Sequence, residues 1–175
     1  MGDDMNHAMS YAGRPDRSII MAVDPGEHTG FAIYDFIERR FIETQTFDHP
    51  RYKWVGMHRL LNYLDSVIPS VYPPEVVHVI IEYPPAFVYR RNASAGGSAS
   101  GGNRHAFNIG GVRREAELIF GKLVFEKRLP YVDLVPPVRA AKWSAADAER
   151  FTGIKRMSQH ARDAARLALH EVRGL

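Results

Sequence analysis

The sequence has no cysteine, which excludes disulfides and thiolate-held metals and leaves carboxylates, histidines and carbonyls as metal ligands. It has no apolar run long enough to span a bilayer and no apolar block of the secretory kind near its start, so a cytoplasmic location is expected. Acidic residues are missing altogether between Glu82 and Glu115. Arg90, Arg91, Arg104, Arg113 and Arg114 fall in that gap, and a local field of one sign attracts a polyanion even though the net charge is only +3. A solvated basic face explains the same residues about equally well, so charge alone leaves nucleic acid as one of two readings. Periodicity is missing from Met1 to Arg17, which reads as a mobile leader. Ala93 to Gly102 (ASAGGSASGG) lacks any side chain able to anchor a core. A flexible Gly/Ser-rich insertion is therefore expected over residues 93–104, within one domain spanning 18–173.

The remaining chain alternates between strand and helix periodicity. Ser18–Asp24 (SIIMAVD), Phe31–Asp35 (FAIYD) and Arg40–Phe47 (RFIETQTF) read as strands of a meander. Trp54, Met57, Leu61, Leu64 and Ile68 recur at helical spacing and stop at Pro69. Val76–Glu82 (VVHVIIE) suits a strand covered on both faces. A helix carrying Val112, Ala116, Ile119, Phe120 and Leu123 follows, then a buried-type strand at Tyr131–Val135. A short helix over Ser144–Phe151 and an Ala-rich helix from about Met157 to Val172 complete the order. That order predicts an α/β fold: a mixed sheet of a three-strand meander followed by parallel strands, flanked by helices.

Four residues stand out by position. Asp24 and Glu82 end two core strands, and parity puts Asp24 with Ile20 and Ala22, and Glu82 with His78 and Ile80, on one face each. The carboxyl ends of strands are where open α/β sheets bind ligands. His160 and Asp163, spaced i, i+3, share a face near the start of the last helix. Three carboxylates and an imidazole without cysteine suit Mg2+, with Mn2+ as substitute, and two such ions can support phosphodiester cleavage. Each residue alone has an ordinary explanation as a turn, strand end or helix surface; the joint arrangement does not. The turn Asp24-Pro25-Gly26-Glu27-His28-Thr29-Gly30 also resembles the first phosphate loop of the sugar-kinase and actin ATPases. That group needs two lobes, and no second such turn follows here. Gly26 and Gly30 read instead as serving the reversal into the next strand.

In this order, AVDPGEHTGFAIYD, VIIEYPPAF and SQHARDAARLAL resemble the RuvC family of Holliday junction resolvases, which has the ribonuclease H-like fold, over about Ile19 to Leu169. Phe87–Asn92 resembles the segment that follows the family's glutamate. The resemblance implies catalytic and metal-holding roles for Asp24, Glu82, His160 and Asp163, and a homodimer through the Val112–Leu123 face. It also implies symmetric nicking of a four-way junction to 5′-phosphate and 3′-hydroxyl ends, with an aromatic wedge among Tyr83, Phe87 and Tyr89. DNA contacts are expected from Arg90, Arg91, Arg104, Arg113 and Arg114, and from Arg139, Lys142 and Lys155. The Pro84-Pro85 pair and the Gly/Ser tract are extra to the family pattern, and the stretch from Val135 to His160 is shorter. Nuclease chemistry is thus the firmer expectation and junction selectivity the weaker. The rival readings are a branched-DNA or RNA-processing nuclease of the same fold, a non-catalytic junction-binding protein, and a single-lobed nucleotide binder.

Overall fold

A computed structural model describes residues 18–48, 52–85, 99–138 and 141–173, without the side chains of 53, 54, 99–108 and 173. The run IIMAVD forms β1 (Ile19–Asp24), in which Ile20, Met21, Ala22 and Val23 are all 0% exposed. A strand so apolar on both alternations is stable only with both faces covered, which makes it the centre of the sheet. β2 (Thr29–Asp35) pairs antiparallel with β1, and β3 (Arg40–Phe47) antiparallel with β2. On the other side β4 (Val77–Glu82) runs parallel to β1, and β5 (Val132–Val135) parallel to β4, giving the order β3-β2-β1-β4-β5. The expected meander followed by parallel strands is the observed topology.

Helices α1 (Lys53–Val67) and α2 (Ala99–Gly121) cover one face, where Met21, Val23, Phe31, Val79 and Ile81 pack with Leu60, Leu64, Ala116 and Ile119. α2 runs on into a π-helical turn at Lys122–Glu126. The short α3 (Ala145–Thr152) starts at Ser144, whose hydroxyl accepts from the Asp147 backbone N–H in a capping box. α4 (Gln159–Arg173) lies on the opposite face, where Ala164, Ala165, Ala168 and Leu167 meet Ile20, Ala22, Ala32 and Ile80. Among the described residues no helix is long and apolar enough to cross a membrane.

Three features depart from the sequence reading in ways that bear on the site or the sheet. α2 begins at Ala99, inside the tract read as a loop, so residues 99–104 are helical. Once a downstream turn is formed, each added residue gains a backbone hydrogen bond, and small residues offer nothing that clashes with it. β5 is half-exposed, because it is the edge of the sheet. β2 starts at Thr29, two residues before its apolar run, with Gly30 paired to Asp24.

Gly30 owes its identity to close approach rather than to the turn. A Cβ there would lie 2.0 Å from the His160 carbonyl oxygen, where the first turn of α4 crosses β2. Overpacking at a fixed backbone contact costs about 1–3 kcal/mol or more. Gly30→Ala is therefore expected to lose at least about 2 kcal/mol in urea unfolding; a loss under about 0.5 kcal/mol would show that α4 has slack to retreat.

Candidate active site

The register Val23–Ile81 leaves Asp24 and Glu82 on adjacent strand ends at the carboxyl edge of the sheet. Even-numbered residues of both strands face α4, as parity requires, since Ile20, Ala22 and Ile80 pack against its alanines. α4 begins after Ser158, whose hydroxyl accepts from the Ala161 N–H at 3.1 Å, and its first turn opens over Asp24. A helix N-terminus favours negative charge beside it. His160 Nδ1 stands 3.7 Å from Asp24 Oδ2, with the histidine 41% and the aspartate 15% exposed. The cleft between the sheet edge, α2 and α4 measures about 520 Å³, and Asp24, Glu82, His160, Asp163, Lys142 and Arg166 are among its lining residues.

Bringing like charges together in a half-dry cleft has electrostatic consequences. Burial pushes the Glu82 carboxyl up to about 7, with the charges of Asp24 and Asp163 adding to the rise. Asp24 is also raised, by burial first, while its contact with His160 pulls the other way. His160 is raised, chiefly by its hydrogen-bonding contact with Asp24. Asp163 is surrounded by donors: Lys142 Nζ at 2.9 Å from Oδ2, Gln159 Nε2 at 3.1 and 3.2 Å from its two oxygens, and Arg166 at 3.7 Å from Oδ1. Among the described residues the cluster is short of positive charge on the Asp24–Glu82 side, and its hard oxygen donors match Mg2+ or Mn2+ in kind. Among the described residues, however, no three His, Asp or Glu side chains already stand where they could close on one ion. Asp163 is turned to Lys142, a side chain 67% exposed and so free to rotate away.

The four expected site residues are thus brought to one cleft. Of the expected DNA contacts, Lys142 lies at this cleft, Arg114 is exposed on α2, and exposed Lys155 stands 3.8 Å from Glu149. Tyr83 and Arg113 engage each other: the guanidinium lies 4.3 Å over the ring, and the Tyr83 hydroxyl donates to Glu117 at 2.6 Å. Together with the bond from Arg113 to the Pro84 carbonyl at 3.1 Å, they tie the end of β4 to α2. Phe87, Tyr89, Arg90, Arg91 and Arg139 lie outside the described residues, as does the Arg104 side chain.

The expected dimer face needs correction. Ala116, Ile119 and Leu123 are buried against this chain's own sheet, because the apolar stripe of α2 is what covers it. The apolar side chains left outward are Leu118, 50% exposed, and Phe125, 77% exposed. Arg166 and Gln159 were missed as site residues. Arg166 follows Asp163 by the same i, i+3 step that links His160 to Asp163, so the signal was there.

This arrangement, a mixed sheet of this order with helices on both faces, is the ribonuclease H-like fold. Its likeness to a solved structure, Thermus thermophilus RuvC in complex with a Holliday junction substrate, has a TM-score of 0.54 over 87% of this chain and 91% of that one, at 20% identity. No family model and no curated protein matches the sequence.

The raised groups fix the sign of a pH effect. Between the ordinary glutamate value of 4.5 and about 7, folded Glu82 keeps a proton that the unfolded chain has lost, so folding weakens as pH rises through that window. Asp24, raised from 3.8, acts in the same direction. The contribution of His160 is full below 6.5 and lost as pH rises through its raised folded value. In EDTA, Glu82→Gln should therefore gain Tm over the parent at pH 8 and little at pH 5. A difference in Tm constant across that range would contradict the electrostatic account.

Proposed function

We propose that this chain is a metal-dependent endodeoxyribonuclease that nicks branched DNA, with the four-way junction as its preferred substrate. The observation that carries this reading is the convergence of Asp24, Glu82, His160 and Asp163 on one cleft at the carboxyl edge of a ribonuclease H-like sheet. The junction-bound state of the structural neighbour supports the substrate, as do the basic residues beside the cleft.

Asp24 and Glu82 would hold a divalent ion, Mg2+ or Mn2+, with Asp163 and His160 completing the donors for two such ions. When bound, ions of this class supply Lewis-acid stabilisation of the charge that develops on the phosphate. If His160, at the partly exposed rim and in contact with Asp24, does not serve as a donor to the second ion, it would instead orient the attacking water. Lys142, exposed and paired with Asp163, would contact the incoming phosphate, and Asp163 would then be available to the ion. The resemblance to the RuvC family implies that hydrolysis would leave 5′-phosphate and 3′-hydroxyl ends.

Symmetric resolution needs two sites. The apolar side chains Leu118 and Phe125 point outward on α2 and the turn after it, and would supply the contact for a second copy. Sedimentation equilibrium is expected to give a dimer that Leu118→Asp with Phe125→Asp converts to a folded monomer; a dimer unchanged by both would move the interface elsewhere.

The central test is a panel of four-way junction, flap, duplex, RNA–DNA hybrid and single-stranded RNA, incubated with Mg2+. Asp24→Asn should lose about a hundredfold to a thousandfold in cleavage of the junction, on the scale that losing one electrostatic stabiliser reaches, while its melting curve remains cooperative. Parent-like cleavage by Asp24→Asn would remove the site. Equal cleavage of every substrate would remove the junction preference and leave the chemistry.

A further inference from the structure

Arg166 is buried in the same cleft as the carboxylates. It sits on α4 one turn beyond Asp163, its guanidinium 3.7 Å from Asp163 Oδ1, with both side chains under a tenth exposed, at 9% and 8%. It lines the cleft together with Asp24, Glu82 and His160. Its charge also acts on Glu82, opposing the rise that burial imposes there. Lys142, the other cation on Asp163, differs in kind: its side chain is 67% exposed and reaches in from the loop before α3. Lys142 is exposed to solvent, whereas Arg166 is buried on the helix whose alanines and Leu167 are packed on the sheet. A guanidinium keeps its charge at any working pH and is less strongly hydrated than an ammonium, which suits it to a buried place among carboxylates.

We infer that Arg166 is a resident counter-cation of the carboxylate cluster. It is a positioning residue that holds Asp163 before any divalent ion arrives, and its fixed charge keeps ion binding weak until a DNA phosphate brings more negative charge to the cleft. The inference rests on the metal-dependent reading above. Ion and DNA then load together, and Arg166 has a part of its own in the bare protein: it supplies charge that an ion would otherwise supply. A fixed unit charge a few ångström from a divalent ion, at an effective dielectric of about 20, changes the ion's affinity at least about tenfold.

The test is Mn2+ titration calorimetry and thermal melting of the DNA-free full chain. Arg166→Met and Arg166→Gln, the second keeping a donor for Asp163 without the charge, are expected to bind Mn2+ at least about tenfold tighter than the parent. Both should melt below the parent in EDTA, and saturating Mn2+ should restore most of that loss. A role confined to packing would leave the loss the same with and without Mn2+; that result, or Mn2+ affinity no tighter than the parent's, would overturn the inference. Arg166→Lys keeps the charge and should match the parent in Mn2+ affinity. Tenfold tighter binding in Arg166→Lys would overturn the inference even if neither neutral variant folds. Asp24→Asn is the separate control, because parent-like Mn2+ binding there would overturn the underlying metal-site reading, whatever Arg166 does.

Discussion

The approach of α4 to β2 sets the position of every group here that could do chemistry. Gly30 has no room for a methyl group beneath the His160 carbonyl, and Ala161, Ala164, Ala165 and Ala168 are buried on the helix face that meets the sheet. Larger side chains in either layer would lift the helix, and with it His160 and Asp163, away from the strand ends that carry Asp24 and Glu82. A sheet edge and a helix start thus become one site through small residues. The polar atoms stand where they do because the apolar layer beneath them leaves no alternative spacing.

That packing forces a conflict that the rest of the cleft is built to contain. Three carboxylates gather where water is scarce, and burial with mutual repulsion drives Glu82 and Asp24 toward their protonated forms. Buried charge is tolerated only when paired. Among the described residues the pairing is uneven: Asp163 has Lys142, Gln159 and Arg166, whereas the ion pair at Asp24 is with His160. The unevenness leaves the Asp24–Glu82 side as the place where added positive charge relieves most strain. The buried core of β1 and β4 offsets the cost, since each fully buried aliphatic side chain contributes roughly 1.5–3 kcal/mol. Active sites commonly carry such local disagreement with folding rules while the scaffold around them obeys those rules.

Much of this was legible in the sequence, for identifiable reasons. Strand periodicity is two, so the side on which Asp24 and Glu82 point could be read from Ile20, Ala22 and Ile80 without any knowledge of the sheet. Helical spacing placed His160 and Asp163 together, and the same rule reaches Arg166, which was overlooked because a basic residue in an acidic site looks like solvent-facing helix. Periodicity shows that a helix face is buried, not what buries it. The stripe of Ala116, Ile119 and Leu123 therefore read as a dimer contact when it is this chain's own core. Gly30 was assigned to a turn because the residue above it is distant in the sequence, and a close approach between such residues leaves no local mark. The helical state of residues 99–104 was hidden for a related reason: Gly, Ser and Ala accept many backbone states and the downstream helix decides among them.

A likeness in fold at 20% identity is what this division of labour allows. The features that hold the carboxylates are a strand parity, a register between β1 and β4, and a helix face of small residues, none of which demands particular side chains outside the site. Folds of this kind host many activities, so the topology alone does not select one, and the proposed activity rests on the four residues at the edge. Exposed basic groups such as Lys142, Arg114 and Lys155 sit on loops and outer helix faces that can change without disturbing the core. Arg166, buried beside Asp163 on the packed helix, belongs to the fixed half of the cleft rather than to its changeable surface.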